Sequence, residues 1–107
     1  MVIEINNWSY TMEFISLIRP KRLDFLTTMT PEEQAAMEQH KEYVRDLIAQ
    51  GVVFLDGGSP EGTIGVIIYR VDSAVEARRL FYCDPAVIAG IGYPELYPLT
   101  IDYLAAR

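Results

Sequence analysis

The chain has 107 residues, half of them hydrophobic, and a formal net charge of −6 from fifteen acids against nine bases. That is one domain's length, with enough apolar side chains to bury a core and without the bias of a disordered or low-complexity protein. The acidic balance argues against nucleic acid: phosphate binding needs a basic face, and the pairs Lys21/Arg22 and Arg78/Arg79 are too small to supply one.

Cys83 is the only cysteine, so an intramolecular disulfide and metal sites built on paired cysteines are both excluded. With one histidine besides, a metal would need mostly carboxylate ligands, and no metal is expected. The opening MVIEINNWSY lacks the basic and then apolar regions of a secretory signal, and no apolar run approaches the length of a membrane span. The expectation is a soluble protein of the reducing cytoplasm, away from membranes.

Taken in chain order, residues 10–19 (YTMEFISLIR) are rich in β-branched and aromatic side chains and predict a strand. Thr30-Pro31-Glu32-Glu33 has the form of a capping box with proline in the first turn, and predicts a helix to about Gln50 with Gly51 as its stop. Strands follow at 51–57 and 63–70. The turn chemistry of residues 56–62 between them (DGGSPEG) joins the two as a hairpin. Ser73-Ala74-Val75-Glu76 reads as a second capping box and opens a helix through about Phe81, and Asp84-Pro85 opens a short third helix toward Gly90 or Gly92. Residues 97–104 (YPLTIDYL) predict the last strand. The order is β-α-β-β-α-β, a ferredoxin-like α+β fold with an antiparallel four-stranded sheet, in a single domain spanning 1–107.

A sheet with helices on one face alone should alternate polar and apolar residues, and these strands do not. In the first, Met12, Phe14 and Ile18 point one way while Ile15 and Leu17 point the other; in the third, Ile64, Val66 and Ile68 oppose Ile67 and Tyr69. Leaving large side chains exposed forfeits about 1.5–3 kcal/mol each and makes a sticky patch. A second copy of the chain is the simplest cover, so a homodimer with two sheets face to face is expected.

The one histidine, His40, occupies the first long helix. At about 100° per residue, Ala36 and Val44 lie about 40° to either side of it and Leu47 about 20° away, so the imidazole sits in the middle of the apolar stripe. Two readings are open. One is a neutral core histidine satisfied by a backbone carbonyl. The other is an acid–base group beside a cleft: leucine would fill a core site without burying ring nitrogens, and imidazole titrates where proton transfer at neutral pH needs it. Such a base needs a partner to fix its tautomer. Asp84 is the best candidate, in a position that also reads as an ordinary helix cap; spacing leaves Asp56 and Asp24 open. Arg19, at the end of the first strand, reads as a surface charge or as a holder of a substrate anion, and Tyr43, on the His40 side of its helix, as core or as pocket wall.

Four segments taken together, FISLIRP at 14–20, HKEYV at 40–44, GVVFLDGG at 51–58 and DPAV…AG at 84–90, resemble the YCII-related domain family across roughly residues 12–103. The resemblance implies a ferredoxin-like fold assembled as a dimeric α+β barrel. It also implies a histidine–aspartate pair as the active site, which maps onto His40 as general acid/base and Asp84 as its orienting partner. The activities it brings with it are a dehydrochlorinase of aromatic breakdown and, in the wider barrel superfamily, muconolactone isomerases. Both move protons on small cyclic molecules without a cofactor. The chain departs from the pattern in an N-terminal extension, residues 1–11, where Trp8 reads as the cover of an edge, and in Gly57-Gly58-Ser59, where the family often has Gly-Pro.

The expected function is therefore cofactor-free proton transfer, by elimination or isomerisation, on a small anionic cyclic substrate, with His40 and Asp84 catalytic and Arg19 and Tyr43 binding. The alternative is a non-catalytic dimer that binds a small metabolite. A cofactor-independent oxygenase of the same barrel type gains nothing from the residues beyond the fold.

Overall fold

The structure, a computed structural model, describes residues 2–4 and 12–105. Trp8 and most of the N-terminal extension lie outside the described residues. The elements are β1 (Val2–Glu4), β2 (Met12–Pro20), α1 (Phe25–Thr28), α2 (Pro31–Ala49), β3 (Val53–Gly58), β4 (Gly65–Val71), α3 (Ala74–Tyr82), α4 (Pro85–Ile88), β5 (Gly92–Leu99) and β6 (Tyr103–Ala105). Strands β3-β4-β2-β5 form one antiparallel sheet in that spatial order, which is the ferredoxin-like arrangement.

Local chemistry places most element ends. Thr30 accepts from the Glu33 amide at 3.1 Å while Glu33 reaches back to the Thr30 amide at 2.9 Å, so the predicted capping box is complete. Ser73 caps α3 through the Glu76 amide at 3.1 Å. Its box stays half made, because the Glu76 carboxylate turns to Arg79 at 2.5 and 3.0 Å instead. Arg22 grips Glu33 through both terminal guanidinium nitrogens, at 2.7 and 3.0 Å, and also donates to the Thr28 carbonyl. The segment carrying α1, which the sequence did not predict, is thereby strapped to the start of α2.

The last strand needs correction. It was expected at 97–104, but β5 runs Gly92–Leu99, and the chain beyond it forms β6 against β1 in a separate two-stranded sheet. Gly90, at φ +69°, turns the chain out of α4 early. Pro94 and Pro98 are tolerated because β5 is an edge strand with a single neighbour.

The two faces of the sheet differ as the side-chain pattern predicted. Phe14, Ile67, Tyr69 and Val71 turn toward the helices and are buried with Val44, Leu47, Leu80 and Phe81 in one large cluster. A second, smaller cluster joins Phe25, Ala36, Ala86 and Ile91, drawn from α1, α2, α4 and the turn before β5. On the opposite face, Leu55, Ile68, Ile15 and Tyr97 stand in register and make one row across all four strands. Leu55 is 43% and Tyr97 49% exposed, so this row faces outward without a cover from its own helices.

Candidate active site

Helix α2 passes over both clusters, with Ala36 in the smaller and Val44 and Leu47 in the larger. His40 lies between them, at the point where the packing opens. The cavity there holds about 320 Å³ between the helices and the sheet. One wall carries His40 and Met37 of α2, another Phe25 and Leu26 of α1, and the sheet side brings Ser16, Ile18 and Asp56. Most of the lining is apolar, with a few convergent polar groups, as in small-molecule sites generally.

His40 Nδ1 is 2.8 Å from Asp84 Oδ1 and 2.9 Å from Oδ2. Asp84 is completely buried, and the His40 side chain is 14% exposed. The residue pattern explains how a carboxylate comes to be fixed there. Asp84 is the N-cap of α4, its Oδ1 accepting from the Ala86 amide at 2.9 Å, and Pro85 occupies the first helical position. The cap and the contact with histidine are therefore one arrangement. Because Nδ1 is committed to Asp84 and the ring lines the cavity, Nε2 is the nitrogen left for a ligand.

Electrostatics favour the charged ring. Burial works against the imidazolium, but the hydrogen bond and charge of Asp84, together with the charge of Asp56, outweigh it, so the pKa of His40 lies above its ordinary 6.5. Asp56 belongs to β3 opposite Ile67, on the helix side of the sheet. The residue is exposed at the cavity mouth, yet neighbouring protein shields its carboxyl enough to raise its pKa. Charged His40 pulls that value back down, and Asp84 pushes it up.

The other two expected binding residues are not brought to the cavity. Arg19 pairs with Glu95 on the opposite, outward face of the sheet, about half exposed. Strand alternation accounts for this: Ser16 and Ile18 face the helices, so Arg19 faces away. Tyr43 packs against the larger cluster and donates its hydroxyl to the Leu80 carbonyl at 2.7 Å, tying α2 to α3. Ser16 was missed altogether. Its signal was a hydroxyl in the middle of a strand, sharing a face with Phe14 and Ile18 where an apolar residue is the rule. Asp24, left open by spacing, stands at the N-cap position of α1 without a side-chain cap bond, and its backbone carbonyl accepts from the Thr28 hydroxyl. Among the described residues, no group of three or more His, Cys, Asp or Glu side chains is placed to hold a metal ion, and no helix is long and apolar enough to cross a membrane.

Two solved structures share the fold. A 5-chloro-2-hydroxyhydroquinone dehydrochlorinase (TftG) from Burkholderia phenoliruptrix AC1100, in complex with 2,5-dihydroxybenzoquinone, superposes with a TM-score of 0.57 at 14% identity, over 83% of this chain and 94% of that one. A dimeric protein of unknown function and ferredoxin-like fold from Bacteroides fragilis NCTC 9343 gives 0.50 at 13% identity, over 87% and 98%. No curated protein matches the sequence significantly. The sequence matches the YCII-related domain over residues 12–99, from the first residue of β2 to the last of β5. The match thus takes in the whole four-stranded sheet with both the histidine and its aspartate, and the chain belongs to the YCII-related domain family.

Proposed function

We propose that the cavity binds a small cyclic molecule and that His40, oriented by Asp84, transfers a proton on it in an elimination or isomerisation. The observation that carries this reading is the pairing of a cavity-lining imidazole with a fully buried carboxylate through Nδ1. A buried carboxylate holds the ring in one tautomer and stabilises the imidazolium, as an acid–base group requires. The dehydrochlorinase of similar fold, bound to a dihydroxybenzoquinone, supports a ring-sized ligand. With Arg19 elsewhere, the cation nearest a ligand is His40 itself, with Lys41 on the rim.

The raised pKa means that His40 keeps its proton to a higher pH than an ordinary imidazole. It then serves as acid or as hydrogen-bond anchor, and becomes a base as pH rises through that value. This favours a second reading, binding without turnover, in which His40 is the anchor alone. Turnover separates the two. In a panel of lactones and halogenated phenols, His40→Gln is expected to lower kcat about 10²–10⁴-fold. A variant that turns over as fast as wild type removes the acid–base role. Independently, NMR titration of the single imidazole should show a raised pKa that falls by about one unit or more in Asp84→Asn; identical titration in both proteins sinks the pair.

We also assign the outward row of Leu55, Ile68, Ile15 and Tyr97 to a homodimer interface, two sheets packing face to face. The Bacteroides fragilis protein of the same fold is dimeric, which supports this. Analytical ultracentrifugation of wild type and Ile68→Asp tests it: a dimer that the variant converts to monomer is expected, and a monomeric wild type refutes it.

A further inference from the structure

Gly65 is a glycine that the backbone does not require. It begins β4, an interior strand, paired with Ile18 of β2 on one side and Gly58 of β3 on the other. Its φ is not in the left-handed region. Among the described residues, a methyl group built on it would meet nothing nearer than the Ile18 carbonyl oxygen, at 3.9 Å. Gly58 is different: a methyl there would run into the Ile64 carbonyl, so the close approach of two backbone segments accounts for it. Glycine weakens a strand, and a β-branched residue is the ordinary choice at such a position. The fold gives up stability at Gly65 for some other end.

The register shows what that end is. Residues paired across a sheet point to the same face, and Ile18 faces the helices, so the side chain that Gly65 lacks is missing from the cavity. Gly58 and Gly65 both line that cavity, with Ile18 beside them and His40 across from them on α2. Same-face neighbours along a strand stand about 7 Å apart and adjacent strands about 4.8 Å apart. Two glycines side by side therefore leave a patch of bare peptide about the size of a six-membered ring. We infer that Gly65 is a specificity-determining residue of the cavity, whose bare backbone, with that of Gly58, seats the face of a flat, unsaturated ring. Peptide groups are planar, and a flat ring laid on them brings all its atoms to contact distance, about 3.5–4.0 Å. A saturated chair of the same size lifts half of its carbons away and forfeits those contacts. Gly65 seats the ring, and His40 acts on the group that the ring carries.

This inference deepens the proposed function and rests on the cavity being a ligand site. Phenol and cyclohexanol, alike in size and in their hydroxyl but flat and puckered respectively, are the probes. Binding is followed by the His40 imidazole signal in NMR and by calorimetry. Wild type is expected to bind phenol about fivefold or more tighter than cyclohexanol. Gly65→Val fills the seat and should weaken phenol about tenfold or more, as crowding of a packed site does, so that the preference for the flat ring disappears. Gly65→Ala should weaken phenol by a smaller factor. The thermal midpoint of Gly65→Ala should equal or exceed that of wild type, because the backbone accepts a side chain there; a glycine kept for the fold would lower it and spare binding. Equal affinity of wild type for the two probes, or a lowered midpoint in Gly65→Ala with phenol binding intact, overturns the seat. The two ideas fail in different ways. If phenol binds wild type and Gly65→Val alike, the seat falls and the cavity remains a ligand site. If neither probe moves the His40 signal of wild type, the cavity reading falls and takes the seat with it.

Discussion

The two core clusters are built from the same helix and opposite principles. The larger, around Tyr69, Phe81, Val44 and Leu47, is closed: its central side chains are essentially inaccessible and come from α2, α3 and the middle of the sheet. The smaller, around Phe25, Ala36, Ala86 and Ile91, is held by short elements, two of them four-residue helices, and three of its four members also line the cavity. The first spends its apolar area on stability; the second leaves a space unfilled. The His40–Asp84 pair stands at the junction, where a buried carboxylate can be fixed by firm packing on one side while the imidazole meets an opening on the other.

The sharpest way to break this contrast is to empty each half. Phe81→Ala in the closed half should cost about 3–5 kcal/mol in denaturant unfolding, with a folded remnant that still binds cavity ligands. The next effect belongs to the junction. Asp84→Asn keeps an oxygen for the α4 cap but loses the charged partner, and should cost about 1.5–3 kcal/mol where His40 is protonated. Since the folded imidazole has a raised pKa, the stabilisation is fully present below its unfolded value near 6.5 and is lost as pH rises through the folded one. The gap between wild type and variant in unfolding experiments should therefore be widest in mild acid and narrow as pH rises through the folded His40 value; a gap independent of pH would assign the loss to packing. In the open half, Met37→Ala removes a partly buried cavity wall and should cost only about 1 kcal/mol while changing ligand affinity more than stability. Smallest of all is Arg19→Ala. Its pair with Glu95 lies at the surface, so stability should move by less than about 0.5 kcal/mol and cavity binding not at all; a loss of ligand affinity would return Arg19 to the site.

What the sequence disclosed follows the reach of its signals. Capping residues are local, so Thr30, Ser73 and Asp84 marked three helix starts within one residue of where the helices begin. Side-chain alternation is local too, and it separated the two faces of β2 and β4. The strand at 97–104 was misplaced because its aromatic and β-branched residues read as one run; where pairing with β2 begins and ends, Gly92 to Leu99, and that an edge position admits Pro94, are properties of the assembled sheet. Helix α1 is one turn long, too short for a periodic signature, and is held by Arg22 reaching eleven residues ahead to Glu33. At the site, His40 stood out because a lone imidazole on an apolar stripe is odd by itself, and Asp84 as the carboxylate of a helix start, a choice the family resemblance then reinforced. Asp56 and Arg19 were harder. Each is an ordinary strand-end charge until the register decides which face it takes, and the register sent Asp56 to the cavity and Arg19 away from it.

The rims of the sheet have a bearing on how the molecule can associate. At one border β5 carries two prolines, which withhold amide donors from any strand that might dock there. At the other, β3 shifts register between Val53 and Leu55, an irregularity that spoils a straight template. With its borders set against further strands, the molecule offers its broad apolar outward surface to the proposed face-to-face interface. Joining surface to surface would use that surface up, so under this proposal growth would stop at a closed pair and not run on into a fibre.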